Sequence, residues 1–275
     1  MKKINYLNNK DILSEIHKSK NSFSSYSQPE YHQFDLIVNS LDGINHQSIV
    51  EAQKNRAKRL SLERFESMKE TTPKIKLADV EINYNSISET ELIFRVMTYD
   101  HIPDEPGRKK NPKTIADTKT KLNFPPFQHW KFDDSNQLIC VGKSHWKDHV
   151  HFGNFSLTNG IATDKLALMW LKLCDRYATR GNVRGYTYND EMKGQAILQL
   201  TQIGLQFDES KSANPFAYYT AAVTNSFVRV INLEKRNQNI RDDILEMNNM
   251  NPSYTRQAQD EWAVSLKREQ NSKNY

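Results

Sequence analysis

Between residues 218 and 236, five polar side chains recur at a spacing that suits contact with nucleic acid. Tyr218, Asn225, Arg229, Asn232 and Arg236, with Ala222 among them, fall on one row of a helix, three or four residues apart. Tyrosine stacks on bases, asparagine hydrogen-bonds base edges, and arginine reaches phosphates, so a helix carrying this row can lie against DNA. An ordinary solvated face has the same composition. A second row, Phe216, Thr220, Val223, Phe227, Val230 and Glu234, is mostly apolar and is expected to face a core.

Basic residues gather in three places: KNRAKR at 54–59, RKKNPK at 108–113, and Arg229, Lys235, Arg236 and Arg241 near the end of the same helical pattern. Any of these can contact phosphates, and each is equally compatible with a solvated loop or face. Cys140, His145, His149 and His151 make a zinc site conceivable, but their spacing is not a zinc-finger pattern, and a loop is the simpler reading. The sequence has no phosphate-cradling GxxxxGKS, no GxSxG, no HExxH and no dinucleotide fingerprint. No catalytic residue, metal or cofactor is therefore assigned.

The elements that must position these residues can be read from periodicity. A short helix is expected over roughly 8–19, followed by the polar linker SFSSYSQPE at 22–30 and a charged helix over about 47–69 with Ile49, Ala52, Ala57, Leu60 and Phe65 on its sparse apolar face. KLADVEINY (76–84), ELIFRVMTYD (91–100) and QLICVGK (137–143) read as strands. Five prolines between 102 and 130 argue for an extended loop there. After residue 160 the period becomes helical. Leu166, Met169, Trp170, Leu173 and Tyr177 form one stripe, Gly181 and Gly185 bracket a turn, and a second helix follows with Asn189 or Asp190 as its cap and Gly204 near its end. A third helix opens with Asn214 as cap and Pro215 in the first turn.

The chain has 275 residues, 37% hydrophobic and 26% charged, with a formal net charge of +5. That is enough apolar material for one large domain or two ordinary ones, and the mild basic excess permits nucleic-acid binding without requiring it. No run approaches the roughly 20 apolar residues of a membrane span, so no membrane partner is expected. Two cysteines cannot make a disulfide framework, and reduced thiols in a cytoplasm are the natural reading.

Residues 185–239, GYTYNDEMKGQAILQLTQIGLQFDESKSANPFAYYTAAVTNSFVRVINLEKRNQN, resemble the late-transcription sigma factors of large tailed phages, divergent relatives of the bacterial primary sigma factors. The segment that carries the likeness is a helix ending in a hydrophobic-Phe-Asp connector, then Lys, Asn-Pro and an aromatic-Ala-Tyr helix start: Leu205, Phe207, Asp208, Lys211, Asn214, Pro215, Phe216, Ala217 and Tyr218. The opening INYLNNKDILSEI at 4–16 is similar to the start of that family. The likeness spans roughly 162–245 and the first sixteen residues. Residues 21–155 fall outside the minimal family pattern.

The resemblance implies a mainly α fold, with a three-helix sigma region 2-like domain over 156–245, an N-terminal helical segment over 1–20, a small α+β insertion over 21–155 and a tail over 246–275. It implies host RNA polymerase core and promoter DNA as partners, in the cytoplasm of an infected bacterium. The second helix would engage the polymerase through Glu191, Met192, Gln195, Leu198, Gln199 and Gln202. The third would face an A/T-rich −10-like element through Tyr218, Tyr219, Asn225, Arg229, Asn232, Lys235, Arg236 and Arg241, the two tyrosines holding melted nontemplate bases. The tandem tryptophans of the bacterial helix are missing, and the 34 residues after Arg241 are too few for the domain that reads an upstream element. In the family the tail engages the replication sliding clamp, for which DEWAVSLK at 260–267 is the nearest match, and a late-transcription coactivator is a further implied partner.

Under the same reading, Arg108, Lys109, Lys110 and Lys113 would add DNA or polymerase contacts. The alternatives are a polymerase-bound accessory or inhibitor that never reads DNA, and a DNA-binding replication enzyme such as a nuclease.

Overall fold

The computed structural model describes residues 7–71, 75–103 and 121–273. The basic run at 108–113 and residues 4–6 of the opening motif lie outside the described residues. Helix α1 (Asn9–Ser22) starts where Asn8 caps it, the Asn8 Oδ1 accepting the Asp11 N–H at 2.8 Å. Then come β1 (Ser24–Tyr26), β2 (Leu36–Val38), the long helix α2 (His46–Thr71), β3 (Ile93–Met97), β4 (Phe127–Phe132), β5 (Leu138–Ser144) and a small ladder of β6 (Trp146–Lys147) with β7 (Asn154–Phe155). The rest is helical: α3 (Asp164–Ala178), α4 (Asn189–Ile203), α5 (Pro215–Met247) and α6 (Tyr254–Lys273). Helix predominates over one small mixed sheet, as the periodicity predicts.

The sheet runs β1-β5-β4-β3-β2, with β2 parallel to β3 and the other neighbours antiparallel. Alternation along β3 sends Phe94 and Val96 to one face, where they pack with Val38, Leu92 and, from α2, Ala52 and Ala57. Arg95 goes to the opposite face, among aromatic rings. Full burial of each large apolar side chain contributes about 1.5–3 kcal/mol, which is what holds the charged helix α2 to the sheet through so sparse a stripe.

Three readings of the sequence change. The stretch 22–30 is not a linker but closes α1, forms β1 against β5 and opens a 3-10 helix at Pro29–His32. Residues 76–84 are not a strand but short 3-10 turns, Leu77–Val80 and Tyr84–Ser86, because Asp79 caps Lys76 and Asn83 caps its own turn. Within the proline-rich stretch, strand β4 begins directly after Pro126, where its aromatic residues pair with both β3 and β5.

The chain divides into two compact units: residues 1–173 with 199–220, and residues 174–198 with 221–275. The divisions fall inside α3, α4 and α5, so the boundaries expected at 20, 155 and 245 do not coincide with them. The first unit holds the sheet, α1, α2 and a buried set comprising Leu166, Met169, Trp170, Leu200, Phe207 and Tyr219. In the second, Cys174, Tyr177, Met192, Ala196, Val223 and Phe227 are buried, with the Tyr177 and Phe227 rings edge to face at 4.9 Å.

Candidate nucleic-acid interface

Helix α5 begins as its sequence demands. The Asn214 Oδ1 accepts the Ala217 N–H at 3.0 Å, and Pro215 occupies the first helical position, where its missing donor is harmless. Val223, Phe227 and Val230 turn inward. Asn225, Arg229, Asn232 and Arg236 are exposed. At about 100° per residue these four stand close to the opposite side of the helix from Phe227. Lys235 is also exposed but lies about 100° round from Arg236. Arg241, exposed as well, is turned about 140° from Arg236 and does not continue the row.

The two tyrosines behave differently from the expectation. Tyr219 is 1% exposed, its ring set edge to face against Trp170, and its hydroxyl donates to the Gly204 carbonyl at 2.7 Å. Burial pushes its phenol well above the ordinary value. A side chain so enclosed cannot stack on a melted base, and Tyr219 is a core residue. Gly204 is required here: a Cβ at that position would run into the Trp170 ring. Tyr218 is half-buried, donates to the Ile203 carbonyl at 3.1 Å and packs on Phe207, leaving part of its ring accessible.

On α4, Met192 is 0% exposed and belongs to the core, because it falls one turn from Ala196 on the inward stripe. Glu191, Gln195, Leu198 and Gln202 are exposed, and Gln199 is half-buried. At the start of α4 the Asn189 side-chain amide donates to the Ala178 carbonyl at the end of α3 and to the Val183 carbonyl in the turn, at 3.1 and 3.3 Å.

The cluster at 54–59 is only partly a candidate phosphate site. Arg59 donates to the Asp35 carboxylate at 2.8 Å and to the Phe34 carbonyl at 2.9 Å, and Arg56 lies 3.6 Å from Asp35 and 3.4 Å from Glu91. Both arginines neutralise Asp35, whose carboxyl is buried and raised by that burial. Lys54 and Lys58 are exposed. Among the described residues no group of three or more His, Cys, Asp or Glu side chains is placed to hold a metal. Cys140 sits on β5, His145 is buried, and His149 and His151 lie in the following loop.

The turn between α3 and α4 holds residues the spacing argument passed over. Arg180 and Arg184 are exposed, the Arg180 guanidinium lies 4.3 Å above the Tyr177 ring, and the Tyr186 and Tyr188 rings are 5.1 Å apart. Basic and aromatic residues interleave in TRGNVRGYTY, a signal visible in the sequence once the two glycines are read as more than turn markers. No helix among the described residues is long and apolar enough to cross a membrane. No protein-family model, no curated protein and no solved structure matches this chain.

Proposed function

We propose that the protein is a sigma factor that joins host RNA polymerase core and directs it to A/T-rich late phage promoters. The observation that carries the reading is the row Asn225, Arg229, Asn232 and Arg236, exposed along the outer side of α5 while Phe227 and Val230 anchor the inner side. Asparagine amides at that spacing reach base edges, and the arginines supply salt-dependent phosphate contacts that set the register. The resemblance over 162–245 adds the polymerase, with Glu191, Gln195, Leu198 and Gln202 of α4 as the contacting side chains. In this reading the three helices form a sigma region 2-like arrangement, and no bond is made or broken by the protein itself.

One observation favours a second reading, a polymerase-bound accessory without promoter opening. Tyr219 is enclosed and Tyr218 is tethered through its hydroxyl, so α5 offers little aromatic surface for a flipped base. Run-off transcription by host core polymerase plus this protein separates the two. The sigma reading expects initiation on a template with an A/T-rich late element and none on a scrambled control. Co-elution with core but silence on both templates would replace it with the accessory reading.

A further inference from the structure

Helix α5 continues well past its own core. Beyond Val230, Leu233, Ile240, Ile244 and Met247 are 50%, 48%, 53% and 84% exposed. Their intervals of seven, four and three residues place all four on one face about 21 Å long; Arg236 of the outer row stands between Leu233 and Ile240 on that face, so the uninterrupted apolar stripe is Ile240, Ile244 and Met247, about 10 Å. Helix α6 is more exposed still: every described side chain on it except Arg256 is exposed, including Tyr254 at 85% and Trp262 at 67%. Tyr254, Ala258, Trp262 and Leu266, four residues apart, line one side of α6 over about 18 Å. Most helical stability in a protein comes from packing one face, and two unpartnered apolar stripes call for a cover.

The turn between the helices prevents α6 from covering the stripe of its own chain. Asp242 accepts both the backbone N–H and the hydroxyl of Ser253, at 2.8 and 2.7 Å. The Gln238 amide donates to the Ser253 hydroxyl at 3.1 Å, and Arg256 pairs with Asp243 and Glu246. These anchors pin the start of α6 to the side of α5 that is centred on Asp242 and carries Gln238, Asp243 and Glu246. Asp242 stands about 160° round the helix from both Ile240 and Ile244 and Asp243 about 60° from Ile240, and both isoleucines stay about half exposed, so α6 leaves the stripe uncovered.

We propose that the α5–α6 segment is a reciprocal interface between two copies of this chain, in which α6 of each copy lays Tyr254, Trp262 and Leu266 along the Ile240–Met247 stripe of the other and leaves Arg236 with the outer row. Charge fits this occupant. Arg241 flanks the α5 stripe beside Ile240, Glu261 flanks the α6 stripe beside Trp262, and neither forms an ion pair with a described residue. A two-fold arrangement uses each surface once and doubles the buried area, which matters because a stable interface buries about 1,200–2,000 Å² in all.

Sedimentation velocity on the full chain across a micromolar range tests the proposal. The wild-type chain should dimerise, and Ile240→Glu with Ile244→Glu on α5, or Trp262→Glu on α6, should each leave monomers with unchanged circular dichroism. Mixing the α5 variant with the α6 variant should recover association, because one α6–α5 pair remains intact in the mixed dimer. Trp262 is exposed, so its variant separates loss of association from loss of fold. A dimer indifferent to both variants, or a mixture that stays monomeric, would overturn the reciprocal arrangement. A wild-type chain that is monomeric at high concentration but loses core-polymerase co-elution on Trp262→Glu would assign the stripes to the polymerase and overturn it equally.

Discussion

The Lys20 ammonium lies 2.7 Å from the Glu209 carboxylate, with the lysine wholly buried, and this pair ties the end of α1 to the connector ahead of α5. Lys20 also donates to the Phe207 carbonyl at 2.7 Å. Arg95 is equally buried, held between the Phe34 and Phe127 rings with its Nε donating to His129 at 2.9 Å. Burial pushes the Glu209 carboxyl up, but Lys20, His17 and Arg95 outweigh it and hold the group below its ordinary range. The first unit thus has a charged centre on one face of its sheet and an apolar one on the other.

Removing one partner of that pair leaves the other charged in a dry place. Lys20→Met should destabilise the chain by about 3–5 kcal/mol, whereas the double replacement Lys20→Met with Glu209→Leu should recover much of the loss. Urea unfolding of the wild type, the two single variants and the double variant measures the coupling. Additive losses would show that the pair is not a unit.

The arginines of the 54–59 cluster should behave as structural residues. Arg59→Met removes the closer partner of buried Asp35 and is expected to cost about 1–3 kcal/mol. The neighbouring exposed pair, changed together as Lys54→Gln and Lys58→Gln, should leave the unfolding midpoint within the small range of surface substitutions. Equal effects from the two variants would return the whole cluster to the surface.

These contrasts mark what the sequence can and cannot reveal. Helix α2 is legible to within two residues at either end because its charge and sparse apolar stripe are local properties. The buried stripe Leu166 to Tyr177 on α3 is legible for the same reason. Residues 76–84 mislead because β-branched content is a weak signal beside a side chain that caps its own turn. Strands β1 and β2 are three residues each, too short to carry a period, and exist because β5 and β3 pair with them. Tyr219 and Met192 differ from both cases: each opens a buried stripe at four-residue spacing, Tyr219 with Val223 and Phe227 and Met192 with Ala196 and Leu200, so the period carries their burial and only the resemblance assigns them to the surface. Lys20 offers no signal at all, since its carboxylate lies 189 residues away.

Histidine burial sets an acid limit. His145 is 0% exposed, its ring tilted against Phe124 with the centroids 4.1 Å apart, and burial, with the charges of His101 and Lys20 behind it, pushes its pKa down from 6.5 to about 3. Between those values the unfolded chain binds a proton that the folded chain refuses. Stability is therefore full above pH 6.5 and falls as pH drops through that window, by about 1.4 kcal/mol per pH unit from this residue. His145→Asn, chosen because asparagine tolerates the positive φ of 53° at this position, should lower the slope between pH 6.5 and 5 by about 1.4 kcal/mol per pH unit and leave the share of buried His17 and His129, whatever it does to stability at neutrality. An unchanged slope would move the acid sensitivity to another group.

The core assignment of Tyr219 and the surface assignment of Arg229 should separate in one pair of variants. Tyr219→Phe deletes the hydrogen bond to Gly204 and little else, so it should cost about 1 kcal/mol of stability and leave DNA affinity unaltered. Arg229→Ala, on the exposed side of α5, should leave the unfolding midpoint unchanged. It should weaken binding to promoter and non-specific duplexes by a similar factor and lower the log–log salt slope by about 1, the signature of a lost phosphate contact. Asn225→Ala differs again: if its amide reads a base edge, affinity should fall on the A/T-rich element by about 1–3 kcal/mol and hardly at all on a scrambled duplex, with the salt slope intact. Fluorescence anisotropy over a salt series on both duplexes resolves all three. Arg229→Ala and Asn225→Ala binding both duplexes as the wild type does would leave the outer row of α5 as solvated surface and remove the DNA-reading half of the proposed function.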